Sequence, residues 1–161
     1  MVRRYRLGLT VLILLAVWWC VADSRVAQGQ GQLSAPAAAA QVRFTKAANG
    51  VISDRTTGLE WYVGPSGDNT WHAAREWAAS LTVAGGGWRL PTIKELKAIY
   101  QPGASRNNMD PLFQAGGAWA WSGELRNDWS VWGYAFYNGL EGWHSMNYGN
   151  GRVALAVRSR R

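Results

Sequence analysis

The chain has 161 residues, 48% of them hydrophobic, with 11 tryptophans, a single cysteine and a formal net charge of +7. That length accommodates one domain plus a leader, with a core large enough to stand without metals or multiple disulfides. One cysteine excludes a disulfide scaffold or a multi-cysteine zinc site within one chain.

Residues 1–27 read as an export signal. Arg3, Arg4 and Arg6 precede an apolar run, Leu7 to Trp19, of signal length and too short for a typical membrane span. Cleavage after Ala22, Ser24 or Ala27 would remove it; an uncleaved N-terminal anchor is the alternative. Cys20 follows Val17-Trp18-Trp19, not the small residues of a lipoprotein signal, and it leaves with the leader, so the mature chain has no thiol chemistry. Arg3, Arg4, Arg6, Arg25 and Asp23 leave too, and the 13 basic and 9 acidic residues from position 28 onward give a net charge of +4. Arg158, Arg160 and Arg161 read as a basic tail on a mildly basic surface, which is not a nucleic-acid-binding stripe.

Residues 28–41, rich in Gln, Gly and Ala, read as a flexible linker, and the folded domain is expected over 42–161. Asn49-Gly50 is a tight-turn signal between strands at Val42–Thr45 and Val51–Asp54. Thr57-Gly58 turns the chain into a third strand, Leu59–Tyr62, and Gly64–Asn69 follows as a polar loop. Asn69 or Thr70 can cap a first helix that buries Trp71, Ala74, Ala78 and Leu81, leaving His72 and Arg75 to solvent. In "GGGWRLPTIKEL" (Gly85–Leu96), Thr92 and Glu95 form an S/T-x-x-E capping box for a second helix, Ile93–Tyr100, with Ile93, Leu96 and Tyr100 as its apolar stripe. Pro91 holds Leu90 extended before it. The glycines invite a phosphate-loop reading, but Lys94 lies inside the helix, outside the required Gly-x-x-x-x-Gly-Lys-Ser/Thr frame. The stretch reads as a joint that turns Trp88 inward, with Arg89 available to hold a neighbouring loop.

Gln101–Gly117 reads as loop, and four strands are expected after it: Ala118–Ser122, Val131–Tyr137, Gly142–Asn147 and Arg152–Val157. Trp132, Tyr134 and Phe136 alternate with smaller or more polar residues and make one strand face aromatic. Strands, two helices, then strands predict an α+β domain in which two helices pack on small antiparallel sheets.

These motifs carry a resemblance. "RFTKAANGVISDRTTGLEWY", Thr70-Trp71 opening a helix, "GGWRLPTIKEL", "MDPLF", "AWAWS", "VWGYAFYNG" and "VALAVR" resemble the C-terminal domain of the Legionella collagen-like adhesin family over about Arg43 to Arg158. The resemblance implies a C-type lectin-like fold, distantly similar to formylglycine-generating enzymes, in an exported module that displays a surface to ligands, sulfated glycosaminoglycans in some members. It also implies a cysteine pair at Ala78 and Ala156, both alanine here, so a disulfide would be dispensable. No collagen-like Gly-X-Y region is present, so the family's trimer does not carry over. Trp61, Trp71, Trp88, Arg89, Pro91, Thr92, Glu95 and Trp132 are the structural residues of the motif; Trp119 and Phe136 are also expected in the core.

An enzyme ranks low: no nucleophile, base and orienting group occur together, and formylglycine-type chemistry needs the cysteines that the mature chain lacks. His72 and His144 have no metal-ligand spacing and read as surface residues. Asn127-Asp128 in "ELRNDWS" resembles the Trp-Asn-Asp calcium motif of carbohydrate-binding C-type lectins, but Trp129 follows the pair and no Glu-Pro-Asn partner occurs. No cofactor is expected; calcium is the alternative.

Nine tryptophans follow the leader, more than a core of this size needs. Arg126, Trp129, Tyr137, Trp143, Asn147, Tyr148, Asn150 and Arg152 fall in or beside the late strands, with Trp143 and Tyr148 expected to be exposed. Planar rings stack on sugars, and Arg or Asn fixes hydroxyl or anionic groups. The expectation is therefore a non-enzymatic module that binds a glycan or another extracellular polymer, and sits in the periplasm, at the cell surface or outside the cell. A structural domain that docks a protein partner is the alternative; the bland reading is that these aromatics pack the sheet.

Overall fold

The computed structural model describes residues 42–67, 69–116 and 119–160. The leader, the linker and Cys20 lie outside the described residues, as do Asp68, Gly117, Ala118 and Arg161. Seven strands and two helices follow in chain order: β1 (Phe44–Lys46), β2 (Ile52–Asp54), β3 (Leu59–Gly67), α1 (Trp71–Ser80), α2 (Ile93–Ala98), β4 (Trp119–Leu125), β5 (Ser130–Ala135), β6 (Leu140–Ser145) and β7 (Arg152–Ser159). The strands form one sheet in the order β1-β2-β3-β7-β4-β5-β6, where small separate sheets were expected. All the pairs are antiparallel except β4 with β7. The chain's last strand thus lies in mid-sheet and joins the early strands to the late ones.

Several boundaries depart from expectation; among the late strands β4 runs on to Leu125, β5 stops at Ala135 and β6 spans Leu140–Ser145. The polar stretch after Tyr62 stays in the sheet, because β3 continues to Gly67 with an irregular register between Val63 and Ser66 where it pairs with β7. A bulge there tolerates Pro65 and Gly64 within a strand. The second helix ends at Ala98, with Tyr100 beyond it. The expected loop after it contains one 3-10 turn, Pro111–Phe113.

The two faces of the sheet bury different cores. Val153, Leu155 and Val157 of β7 point to the α2 side and meet Phe44, Trp61, Leu96, Ile99, Phe113 and Tyr134. Ala154 and Ala156 point the other way, where their small side chains let α1 approach with Trp71, Ala74 and Ala78. The stripe on α1 forms as its spacing predicts, with Leu81 as the cap residue just past the helix. Ala78 and Ala156, where the resemblance implies a cysteine pair, are both fully buried in this second cluster.

The glycine joint is a pinned corner. Ala84, Gly85, Gly86 and Gly87 all have positive φ, between 53° and 89°, a conformation that favours glycine. Arg89 then exchanges two backbone hydrogen bonds with Val157, and its guanidinium forks onto Glu95 at 2.8 and 2.7 Å. Glu95 also accepts from the Thr92 N–H at 2.7 Å while Thr92 Oγ1 accepts from the Glu95 N–H at 3.1 Å, which completes the capping box.

Arg158 does not belong to a tail. It lies within β7, is 7% exposed, binds Glu60 Oε2 through Nε at 2.8 Å and Nη2 at 2.6 Å, and donates to the carbonyls of Ala84 and Gly86.

Candidate functional site

The late strands carry the exposed aromatics on two faces. Strand alternation and the β5–β6 register put Ser130, Trp132, Tyr134 and Trp143 on the α2 side, and Val131, Gly133, Ala135, Gly142 and His144 on the α1 side.

On the α2 side, Trp143 of the edge strand β6 sits opposite half-buried Trp132 and is 50% exposed. The Arg126 guanidinium, from the β4–β5 loop, lies 3.8 Å from its ring centroid. Trp129, on the same loop, is 77% exposed. The loop's shape comes from Asn127, whose Oδ1 accepts from the Trp129 N–H, the Ser130 N–H and the Ser130 hydroxyl at 2.8 to 3.0 Å. That oxygen shapes the turn, and among the described residues no three His, Cys, Asp or Glu side chains are grouped to hold a metal.

On the α1 side, Gly133 and Gly142 are register partners and leave a smooth floor. The Trp119 indole lies across both: a Cβ on Gly142 would come within 2.8 Å of the ring, and one on Gly133 within 3.3 Å of it and 2.8 Å of the Ala120 carbonyl. Gly133→Ala should therefore cost about 1–3 kcal/mol, since the backbone cannot yield as a flexible side chain would. Chemical denaturation measures this; an unchanged midpoint would show that the floor has slack.

His144 meets Trp119 edge-on, with centroids 4.7 Å apart, and stacks on Tyr148 at 5.7 Å. Arg152 lies beneath, 4.5 Å from the Trp119 centroid, 4.7 Å from Trp121 and 5.1 Å from Tyr148. Burial pushes the Arg152 pKa below its ordinary value, with the Tyr148 and Tyr137 hydroxyls pulling the other way. Burial first, and the Arg152 charge second, lower the pKa of His144 below its ordinary value.

The family model of the Lcl C-terminal domain matches residues 50–158. The chain belongs to the Lcl C-terminal domain family. No curated protein matches it. Domains of this family are associated with the cell surface or with secretion, and the match indicates an adhesin-like cell-surface domain.

Within this Lcl C-terminal domain, the eight residues expected to form a ligand surface do not converge on one face. Arg126 and Trp143 come together, with Trp129 on the same loop as Arg126. Tyr148 and Arg152 meet on the opposite side. Tyr137, 56% exposed, lies at the β5–β6 turn, and Asn147 and Asn150 are exposed in the turns before β7. Trp143 and Tyr148 are exposed as expected. Arg152 is a correction: it is 2% exposed, because its aliphatic stem and guanidinium fill the space between three rings. Trp119 is half-buried on the glycine floor instead of in the core, and His144 is half-buried against it instead of on the open surface.

Sequence reasoning missed Trp119 and His144 as members of the late-strand cluster. The available signal was two-part: Gly133 and Gly142 sit at mirrored positions about the four-residue connection Phe136–Gly139, and His144 follows Gly142 by two residues, on the same strand face. Of the structural residues, Trp61, Trp71 and Trp88 are 0%, 5% and 5% exposed, Pro91 is buried, and Trp132 is half-buried.

Proposed function

We propose that this domain is an exported, non-enzymatic glycan-binding module, C-type lectin-like in architecture, that works without a cofactor. The observation that carries it is the Trp143 indole, half open to solvent at the sheet edge with the Arg126 guanidinium over it and exposed Trp129 on the neighbouring loop. An open indole stacks on the C–H face of a sugar ring, and an arginine beside it donates directed hydrogen bonds to hydroxyl or anionic oxygens. The family's association with the cell surface or secretion supports a role outside the cytoplasm.

Glycan-array binding tests this, with Trp143→Ala and Arg126→Ala combined in one variant. The combined change should weaken binding by at least about 10-fold, since stacking and a charge-assisted hydrogen bond each contribute on the order of 1 kcal/mol or more. Undiminished binding would move the site elsewhere. A second reading, protein docking, draws on Leu140, 62% exposed on the edge strand β6, because an open edge can accept a partner's strand. Stoichiometric co-purification with one protein and a blank glycan array would favour it.

A further inference from the structure

Arg152 is buried, yet its Nε and Nη1 have no hydrogen-bond partner. Among the described residues no carboxylate is ion-paired with it; the titratable groups facing it are two phenols, Tyr148 and Tyr137, and the His144 imidazole. A buried cation normally has an anion or a set of acceptors, because leaving water is costly. Three aromatic faces recover part of that cost, but they leave N–H groups on two edges of the guanidinium unused.

The walls are not equally fixed. Trp121 is fully buried, and its Nε1 donates to the Asn69 carbonyl at 2.8 Å. Trp119 lies across Gly133 and Gly142. Tyr148 is different: it is 47% exposed and sits in a turn next to Gly149, with Gly151 at φ 66°.

We propose that Arg152 is an anion receptor that takes the carboxylate of an acidic sugar, entering where the Tyr148 ring moves aside. The inference rests on the glycan-binding reading and specifies its ligand. A carboxylate supplies the acceptors that the guanidinium lacks, and the sugar ring attached to it meets the Trp119 and Tyr148 faces as the ligand seats. Arg152 is then retained for binding and at a cost to the fold.

The test titrates glucuronate, its methyl ester and inorganic sulfate into 15N-labelled protein, reading the Arg152 Nε–H and the indole N–H groups of Trp129 and Trp143. Glucuronate should shift the Arg152 resonance to saturation, with the ester at least about 10-fold weaker because it keeps the ring and loses the charge. Arg152→Met should abolish this preference and raise the thermal midpoint by a few degrees, since an unpaired buried charge is replaced by an apolar side chain. The site is overturned by an Arg152 resonance indifferent to glucuronate, by equal binding of acid and ester, or by an Arg152→Met variant that melts lower and keeps the preference. Sulfate that displaces glucuronate at equal concentration would overturn the carboxylate assignment. Ligand-induced shifts confined to Trp129 and Trp143 would sink the Arg152 site alone and leave the glycan reading standing.

Discussion

Replacing Arg158 with methionine should destabilise the domain by about 3–5 kcal/mol, the range expected when one partner of a buried ion pair is removed. The magnitude follows from what would be stranded. Glu60 would lose a guanidinium that reaches it through two nitrogens at 2.8 and 2.6 Å. The carbonyls of Ala84 and Gly86 would lose donors at 2.6 and 2.7 Å, and Trp88 the cation 4.7 Å from its ring centroid. Those carbonyls belong to the corner of positive-φ residues, so the variant unties the corner from β7 and from β3 together. Thermal unfolding should show the midpoint falling by roughly 10–20 °C for a domain of this size. Arg158→Lys should recover only part of this, because an ammonium cannot hold a carboxylate and two carbonyls in one plane. A midpoint within a degree or two of the parent would show that the corner holds itself.

The same residue shows how far the sequence could be read. Charge counting places Arg158 with Arg160 and Arg161 at the chain's end, but alternation along "RVALAVR" already separates it: Arg152, Ala154, Ala156 and Arg158 share one face of β7. What one sequence cannot say is that β7 lies in mid-sheet between β3 and β4, which is what buries both arginines. Local signals performed well where the energy is local, as at the Thr92–Glu95 box, the Asn49-Gly50 turn and the α1 stripe. They failed where a distant partner decides. Gly64 and Pro65 look like loop, yet they stay in β3 because β7 pairs across a bulge. Trp119 looks like core, yet two glycines from other strands give it a shelf. The late-strand aromatics were legible as a group, but their division between two faces depends on the β5–β6 register, which fixes Trp132 opposite Trp143 and Val131 opposite His144.

Asp54→Ala should cost about 3 kcal/mol or more at neutral pH, and it should also remove a specific part of the domain's acid sensitivity. The Asp54 side chain is fully buried at the end of β2. It accepts from Arg43 Nε at 2.9 Å and Nη2 at 2.7 Å, the Thr56 N–H at 2.9 Å and the Thr57 hydroxyl at 2.8 Å. Arg43 also donates to the Ala98 carbonyl at 2.8 Å, so the carboxylate ties β1, the turn into β3 and the end of α2 to one point. Burial alone would push its pKa up; the hydrogen bonds from Arg43, Thr57 and Thr56, with the Arg43 charge, outweigh it and hold the pKa below the ordinary 3.8. A depressed folded-state pKa adds stability that is complete above the unfolded value and is lost as pH falls below it, through the folded value. Glu95 has the same sign, burial opposed by Arg89 and the Thr92 backbone, from an ordinary value of 4.5. The parent should therefore hold its stability down to about pH 5 and then lose it steeply. Asp54→Ala should start lower at pH 7 and fall less steeply below pH 4, and denaturant unfolding across that range would separate the two curves. Parallel curves would mean that Asp54 takes up its proton over the same pH range in the folded and the unfolded chain, and would overturn the depressed folded-state pKa.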